Sequence, residues 1–556
     1  MISDRFKNDG IPSWNMNEVQ LEYKKLLEFK INSKEYELEK VDKCICGSNN
    51  FEVLSEKDRF GLNFTACICR NCGLITTSPR IKNEYLDHFY ENEYQGLTFG
   101  FKIDNKKVYQ TDKSLMKYRL NFLKEHLNKH INSIIEIGCG TGHNLVCIRN
   151  FLAENGVKCN VYGCDYSMEC ILTGKNVFNL DIYQGNSKVL IEKGLKADLI
   201  ILSHVFEHFT QPLEEIKIIK ELLNENGLIY IEVPGIKNLK ETGMYEYDML
   251  KYLTLAHMYN FSLGTLENIM KIAGFKLVNG DEFVHSIFAL NLESNKIVLK
   301  NYYEDINNNL KELENYNDFY KQLTKMYAEK NYNNIIGKYI GYNLLEVFYY
   351  LYKSYLEIGD SKEALNYLMK YIEKVVKVKK EMSIESLKRE VKDNFFNVAL
   401  NDLVELLIDL EYNVEDIYLN AIYRLSIEYK LIRKKLFKNL YSQFTLNEYH
   451  KILNCVRIDL PETNFYLGKT YKILKQNTNA INYFIKYINC INKESWDTEL
   501  AVCSKDFIIS AYYHLGELYL SKNNKLEAKK CFEKSIELSD SIHIKAQEYL
   551  REIDNI

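Results

Sequence analysis

Between residues 131 and about 290, short apolar runs alternate with stretches of helical period. The runs are IIEI at 134, VYGC at 161, DIYQ at 181, DLIIL at 198, LIYIEV at 228 and FKLV at 275. Patterns such as HNLVCIRNFLAENG (143–156) and LEEIKIIKELLNENG (213–227) lie between them. Alternation of this kind predicts a parallel sheet covered by helices on both faces. Upstream, 1–42 is polar and helical, with VQLEYKKLLEFKI at 19–31 keeping helical apolar spacing. Residues 43–82 hold a cysteine cluster and little else that could form a core. Residues 83–130 read as a helical connector with aromatics gathered in HFYENEY at 88–94. From about 296 the pattern is helical throughout: a linking segment over 296–344, then 345–556.

That last region repeats itself. YYHLGELYLSKNNKLEAKKCFEKSIEL (512–538) and FYLGKTYKILKQNTNAINYFIKYI (465–488) share a spacing of Leu, Gly, Tyr, Ala and Phe. These are Leu515, Gly516, Tyr519, Ala528 and Phe532 in one copy, and Leu467, Gly468, Tyr471, Ala480 and Phe484 in the other. LYKSYLEIGDSKEALNYLMKY (351–371) is a third copy. The spacing resembles tetratricopeptide repeats, in which a small residue lets paired helices approach and large ones fill the gap. Such stacks often bind a protein partner; a structural arm or dimer surface is the other reading. An inserted loop is expected around Trp496, and 380–460 reads as degenerate repeats.

Composition narrows the classes. The chain has 556 residues, 46% hydrophobic and 27% charged, as expected of a globular protein of several domains. A net charge of −4 supplies no basic field for nucleic acid. No apolar run approaches the ~20 residues that span a bilayer, and the polar start MISDRFKNDG is no export signal. A cytoplasmic location is expected. Its 14 cysteines are then thiols or metal ligands rather than disulfides.

The densest chemistry sits in IIEIGCGTGHN (134–144). Glycines at 138, 140 and 142 follow a buried strand, where ligands of open parallel sheets bind. The dinucleotide fingerprint would need glycine at 143, and the chain has histidine. Glu136 just before the glycines disfavours phosphate and suits a cationic ligand such as S-adenosylmethionine. VYGCD ends at Asp165, which can accept both hydroxyls of a ribose. Gly185-Asn186 follows the third strand, and ILSHVFEHF brings Ser203 and His204 to the same edge.

These pieces, EIGCGTG, GCD, GN, LSHVFEHF, LNENGLIYIEVP and AGF, resemble the class I S-adenosylmethionine-dependent methyltransferases over 131–295. The resemblance implies an α/β Rossmann-like fold of strand order 3-2-1-4-5-7-6, with VHSIFALNL at 284 as the antiparallel strand. It implies cofactor contacts from Glu136, Gly138, Gly140, Gly142, Asp165, Asn186, Ser203 and His204.

KCICGS and ACICRNCGLI supply Cys44, Cys46, Cys67, Cys69 and Cys72. Cys69-x-x-Cys72-Gly is a good zinc knuckle; Cys44-x-Cys46-Gly is one residue shorter than usual. A structural Zn2+ on Cys44, Cys46, Cys69 and Cys72 is expected, with Cys67 a spare. A cysteine ribbon, then LITTSPR, FYENEY and a methyltransferase core, resembles sugar methyltransferases. In the C-methylating members a histidine in an H-x-x-x-F-S segment belongs to the active site, and His257 matches it. Ala256 and Thr254 stand where those enzymes have glutamate and tyrosine, so O- or N-methylation is as well supported. Tyr94 is the second catalytic candidate. The expected function is methylation of a sugar, nucleotide-sugar or surface glycan precursor. Methylation of a protein or other small molecule, and a scaffold without turnover, are the alternatives.

Overall fold

The computed structural model describes residues 1–100, 119–127, 130–242, 245–291, 297–381, 398–399, 402–403, 406, 430–453, 460–493, 504–539 and 544–554. The loop expected around Trp496 and much of 380–460 lie outside them. The chain divides into two compact units, 1–322 with 379–392, and 323–378 with 393–556. The boundary falls inside the helix Tyr303–Ala328, within the segment read as a linker.

The described strands of the first unit are, in chain order, β1 (Leu38–Glu39), β2 (Phe51–Ser55), β3 (Ala66–Cys69), β4 (Ile75–Thr77), β5 (Arg80–Ile81), β6 (Ser133–Ile137), β7 (Asn160–Asp165), β8 (Asp181–Gln184), β9 (Ala197–Ser203), β10 (Leu223–Glu232), β11 (Tyr259–Asn260), β12 (Phe275–Gly280) and β13 (His285–Leu290). Seven form one sheet in the order β8-β7-β6-β9-β10-β13-β12. Numbered within the sheet this is 3-2-1-4-5-7-6, with β13 antiparallel to both neighbours. The central strands are apolar on both faces: Ile134, Ile135, Leu199 to Leu202, Ile229 and Ile231 are buried, as covering helices on each side require.

The loop between β6 and the helix His143–Glu154 explains its glycines. All three have positive φ. A β-carbon at Gly138 would run into Val205, and one at Gly142 into Leu180. Gly140 meets nothing within 4 Å, so its backbone is open to a ligand. Gly142 is the N-cap of that helix and provides no side-chain cap.

The cysteine segment makes a second, antiparallel sheet in the order β2-β3-β4-β11. Its fourth strand comes from almost two hundred residues downstream, Tyr259 opposite Thr76 and Asn260 opposite Ile75. Arg80, on β5, joins β1, β11 and the loop after β9: its guanidinium bonds Glu39 (2.6 Å), the Thr210 carbonyl (3.0 Å) and the Tyr259 hydroxyl (3.3 Å). Asp58, buried, accepts the amides of Phe60, Leu62 and Leu255.

The second unit is helical. Pro461–Ile473 pairs with Asn477–Lys493, and Lys505–Ser521 with Lys525–Leu538. Gly468 lies against the ring of Phe484 and Gly516 against that of Phe532, with no room for a β-carbon at either. Ala480 and Ala528 are buried in the same seams.

Candidate functional site

A cleft of about 680 Å³ opens over the ends of β6, β7, β8 and β9, beside the helices Asn83–Asn92 and Tyr94–Phe99. Gly138, Gly140, Asp165, Asn186, His204 and Tyr94 line it. One Asp165 oxygen accepts the Gly140 amide (2.8 Å) and the other the Ser167 amide (2.8 Å). The carboxylate therefore fixes the glycine loop as well as facing the cleft; burial raises its pKa against those two bonds. Asn186 also has two tasks. It lines the cleft and caps the helix Ser187–Glu192, accepting the Lys188 amide at 3.1 Å.

Glu136, Gly142 and Ser203 are not on the cleft wall; they stand behind it. Glu136 is 2% exposed and accepts from Asn144 Nδ2 at 2.6 Å, while its other oxygen has no partner. Asn144 in turn accepts from Arg119 (3.1 Å), which forks onto Glu232. Glu232 also takes bonds from Ser203 (3.0 Å) and Tyr230 (3.1 Å) and faces His204 Nε2 at 3.3 Å. Burial opposes charge on His204, but Glu207 and Glu232 outweigh it and raise its pKa to about 9. This network braces the loop from below. Arg119, Asn144 and Glu232 carry no sequence signal beyond an acid ending a strand.

Burial pushes the Glu136 carboxyl up to about 8, against Asn144 and Arg119. Between the unfolded value near 4.3 and 8 the folded chain keeps a proton that the unfolded chain has lost. Stability must therefore fall as pH rises through that window, by at most ~1.4 kcal/mol per pH unit. Urea unfolding at pH 5.5, 6.5 and 7.5 should show this fall, and Glu136→Gln should flatten it. Equal slopes in both proteins would refute the assignment.

The other wall is aromatic. Tyr90, Tyr94 and His208 line it, with Tyr94 edge-on to Tyr90 (5.2 Å between centroids) and to His208 (6.3 Å). Burial raises the Tyr94 phenol, so it faces the cleft as a neutral donor. His208 Nδ1 lies 2.8 Å from the Ala256 carbonyl and 3.0 Å from the Tyr90 hydroxyl. His208 is thus both a loop anchor and a cleft residue. His257 sits behind it, ring centroids 5.3 Å apart, and does not line the cleft. Burial pushes its imidazole down to about 3. It is neutral at working pH and, with so low a pKa, a weak proton acceptor.

Four of the ribbon cysteines converge. Cys44 and Cys72 sulfurs are 3.6 Å apart, as are Cys46 and Cys69, and all four lie within 4.8 Å of one another. Thiolates on the corners of a zinc tetrahedron would be about 3.8 Å apart for Zn–S near 2.3 Å, so the set fits that ion. Cys67, on β3, stays outside it.

Residues 108–279 match a family described as a methyltransferase domain. Residues 509–541 match a tetratricopeptide repeat family. No curated protein matches the chain. Among solved structures, it is similar to the plantazolicin methyltransferase BpumL in complex with S-adenosylhomocysteine (SAH) and a desmethylplantazolicin analogue. Identity there is 15%, covering 37% of this chain and 94% of that one, with a TM-score of 0.30. It is also similar to an S-adenosylmethionine-dependent methyltransferase from Aquifex aeolicus, at 19% identity, 34% and 97% coverage and a TM-score of 0.26. A strand order with one antiparallel strand, a glycine loop facing an open cleft and the family match converge. Residues 108–279 of this chain carry a methyltransferase domain, its sheet in the strand order 3-2-1-4-5-7-6.

Proposed function

We propose that the protein methylates a hydroxyl or amine of a sugar or glycan precursor. S-adenosylmethionine, when bound, supplies an electrophilic methyl group on a sulfonium. Gly138 and Gly140 would receive its amino-acid end, Asp165 its ribose and Asn186 its adenine side. Glu136, Gly142, Ser203 and His204 would hold the loop and strand ends that shape the pocket.

The carrying observation is one cleft with the glycine loop and Asp165 on one wall and Tyr90, Tyr94 and His208 on the other. Methyl transfer is an in-line displacement, so holding the acceptor opposite the sulfonium is most of the catalysis. Aromatic faces suit a sugar ring, and the Tyr94 hydroxyl and His208 suit its hydroxyls. Zn2+ on Cys44, Cys46, Cys69 and Cys72 would be structural, since four thiolates leave no open position. The helical repeats would dock a protein partner. No described helix is long and apolar enough to cross a membrane.

The test is incubation of the full chain with methyl-labelled donor and a panel of nucleotide sugars and glycan extracts. Label in a sugar fraction, with a mass gain of one CH₂, is the expected result. Label only in protein or in a non-sugar metabolite would overturn the acceptor class.

A further inference from the structure

We infer that Glu207, His208 and His257 form a second metal site, for a single divalent transition cation, just behind the aromatic wall of the cleft. The ligand-bearing atoms of the three residues lie within 4.8 Å of one another. Glu207 Oε1 is 3.8 Å from His208 Nε2. Glu207 is 1% exposed, and its Oε2 has no hydrogen-bond partner; the buried Nδ1 of His257 has none either. An orphan carboxylate oxygen beside an orphan imidazole nitrogen is costly unless something joins them. A cation does so, and N/O ligands around zinc at about 2.0 Å lie roughly 3.3 Å apart, within reach of small side-chain rotations.

The surroundings are those of a ligating histidine. His208 Nδ1 is placed to donate to the Ala256 carbonyl at 2.8 Å, which leaves Nε2 with its lone pair towards Glu207. That outer bond is the usual way a metal-bound imidazole is held in one tautomer. His204 Nδ1 stands 3.6 Å from the same carboxylate. Arg59, stacked on Trp14 and Phe60, and the charged His204 are the opposing charges; the Glu207 carboxylate is the counterweight. Two histidines and one carboxylate suit Zn2+ or its neighbours and leave coordination positions open. This distinguishes the set from the closed cysteine site.

The inference rests on the methyltransferase reading only for its role. His208 lies on the cleft wall, so an open position beside it would take the acceptor oxygen. His257 would then act by ligation rather than as a base. The acceptor O–H proton would leave to water, the O–CH₃ bond would form as the C–S bond breaks, and neutral SAH would depart.

The test is equilibrium dialysis of the full chain against micromolar Zn2+, with metal counted by mass spectrometry. His257→Ala and Glu207→Gln are compared with wild type. Wild type should hold about two Zn2+ per chain and each variant about one, the remaining ion being that of the four thiolates. Calorimetry with SAH on all three proteins serves as the folding control and should show retained binding. Equal zinc in wild type and both SAH-binding variants would overturn the site. A variant that loses SAH binding is replaced by His208→Gln under the same comparison. A second zinc in a wild type that binds no SAH would leave the metal site standing and remove the methyltransferase role.

Discussion

Asp165→Ala is expected to weaken SAH binding at least about 100-fold, or about 2.7 kcal/mol, while the chain still folds. Two losses add. The carboxylate is the proposed acceptor of the ribose hydroxyls, and bonds to a charged group contribute about 1.5–3 kcal/mol. It also holds the Gly140 and Ser167 amides at 2.8 Å, so its removal frees the loop on which the ligand rests. Asp165→Asn keeps the shape and one acceptor and should lie between the two. Asp198 is the matched control. It too accepts two amides, those of Asn132 (2.7 Å) and Ser133 (3.0 Å), and it precedes strand β9's cleft end by a full strand length. Calorimetry should find Asp198→Asn within about threefold of wild type. Equal affinity in Asp165→Ala and wild type would remove Asp165 from the cofactor site.

Stripping the cysteine site is the second large effect. Cys69→Ser, or a strong chelator, should lower the stability of the first unit by about 4 kcal/mol or more. The reason is size: β2, β3 and β4 are five, four and three residues long, too short to hold a sheet without a staple. Cys67→Ser should change stability by no more than about 1 kcal/mol, because Cys67 lies outside the four-sulfur group. Thermal unfolding with metal analysis reads both. An unchanged transition after chelation would show that the ribbon stands without an ion.

Much of the first unit is legible in its apolar runs. IIEI at 134 became β6 and DLIIL at 198 became β9, because strands buried on both faces announce themselves by composition. The glycine loop was legible for a related reason: few residues but glycine take three alternate positive-φ positions. What escaped has no local period. β1, β5 and β11 are two residues each, and their pairing is decided by tertiary packing. The Arg119–Glu232 ion pair joins residues 113 apart, and nothing in either neighbourhood marks it. His257 was picked out by a short motif, but its place behind His208 depends on how the segment folds back. The C-x-C half of the cysteine set looked weak by spacing, yet Cys46 reaches Cys69 as closely as Cys44 reaches Cys72.

The pairing of β11 with β4 has a bearing on how such proteins can be recombined. His257 is followed within three residues by a strand that belongs to the cysteine ribbon's sheet, and its own carbonyl is held by Thr77 at 2.7 Å. The ribbon and the segment that carries His257 are therefore one structural piece split across the chain. A chimera exchanging 43–82 without 235–262 would join mismatched edges, whereas exchanging both would keep the β4–β11 pairing and the Thr77–His257 bond intact.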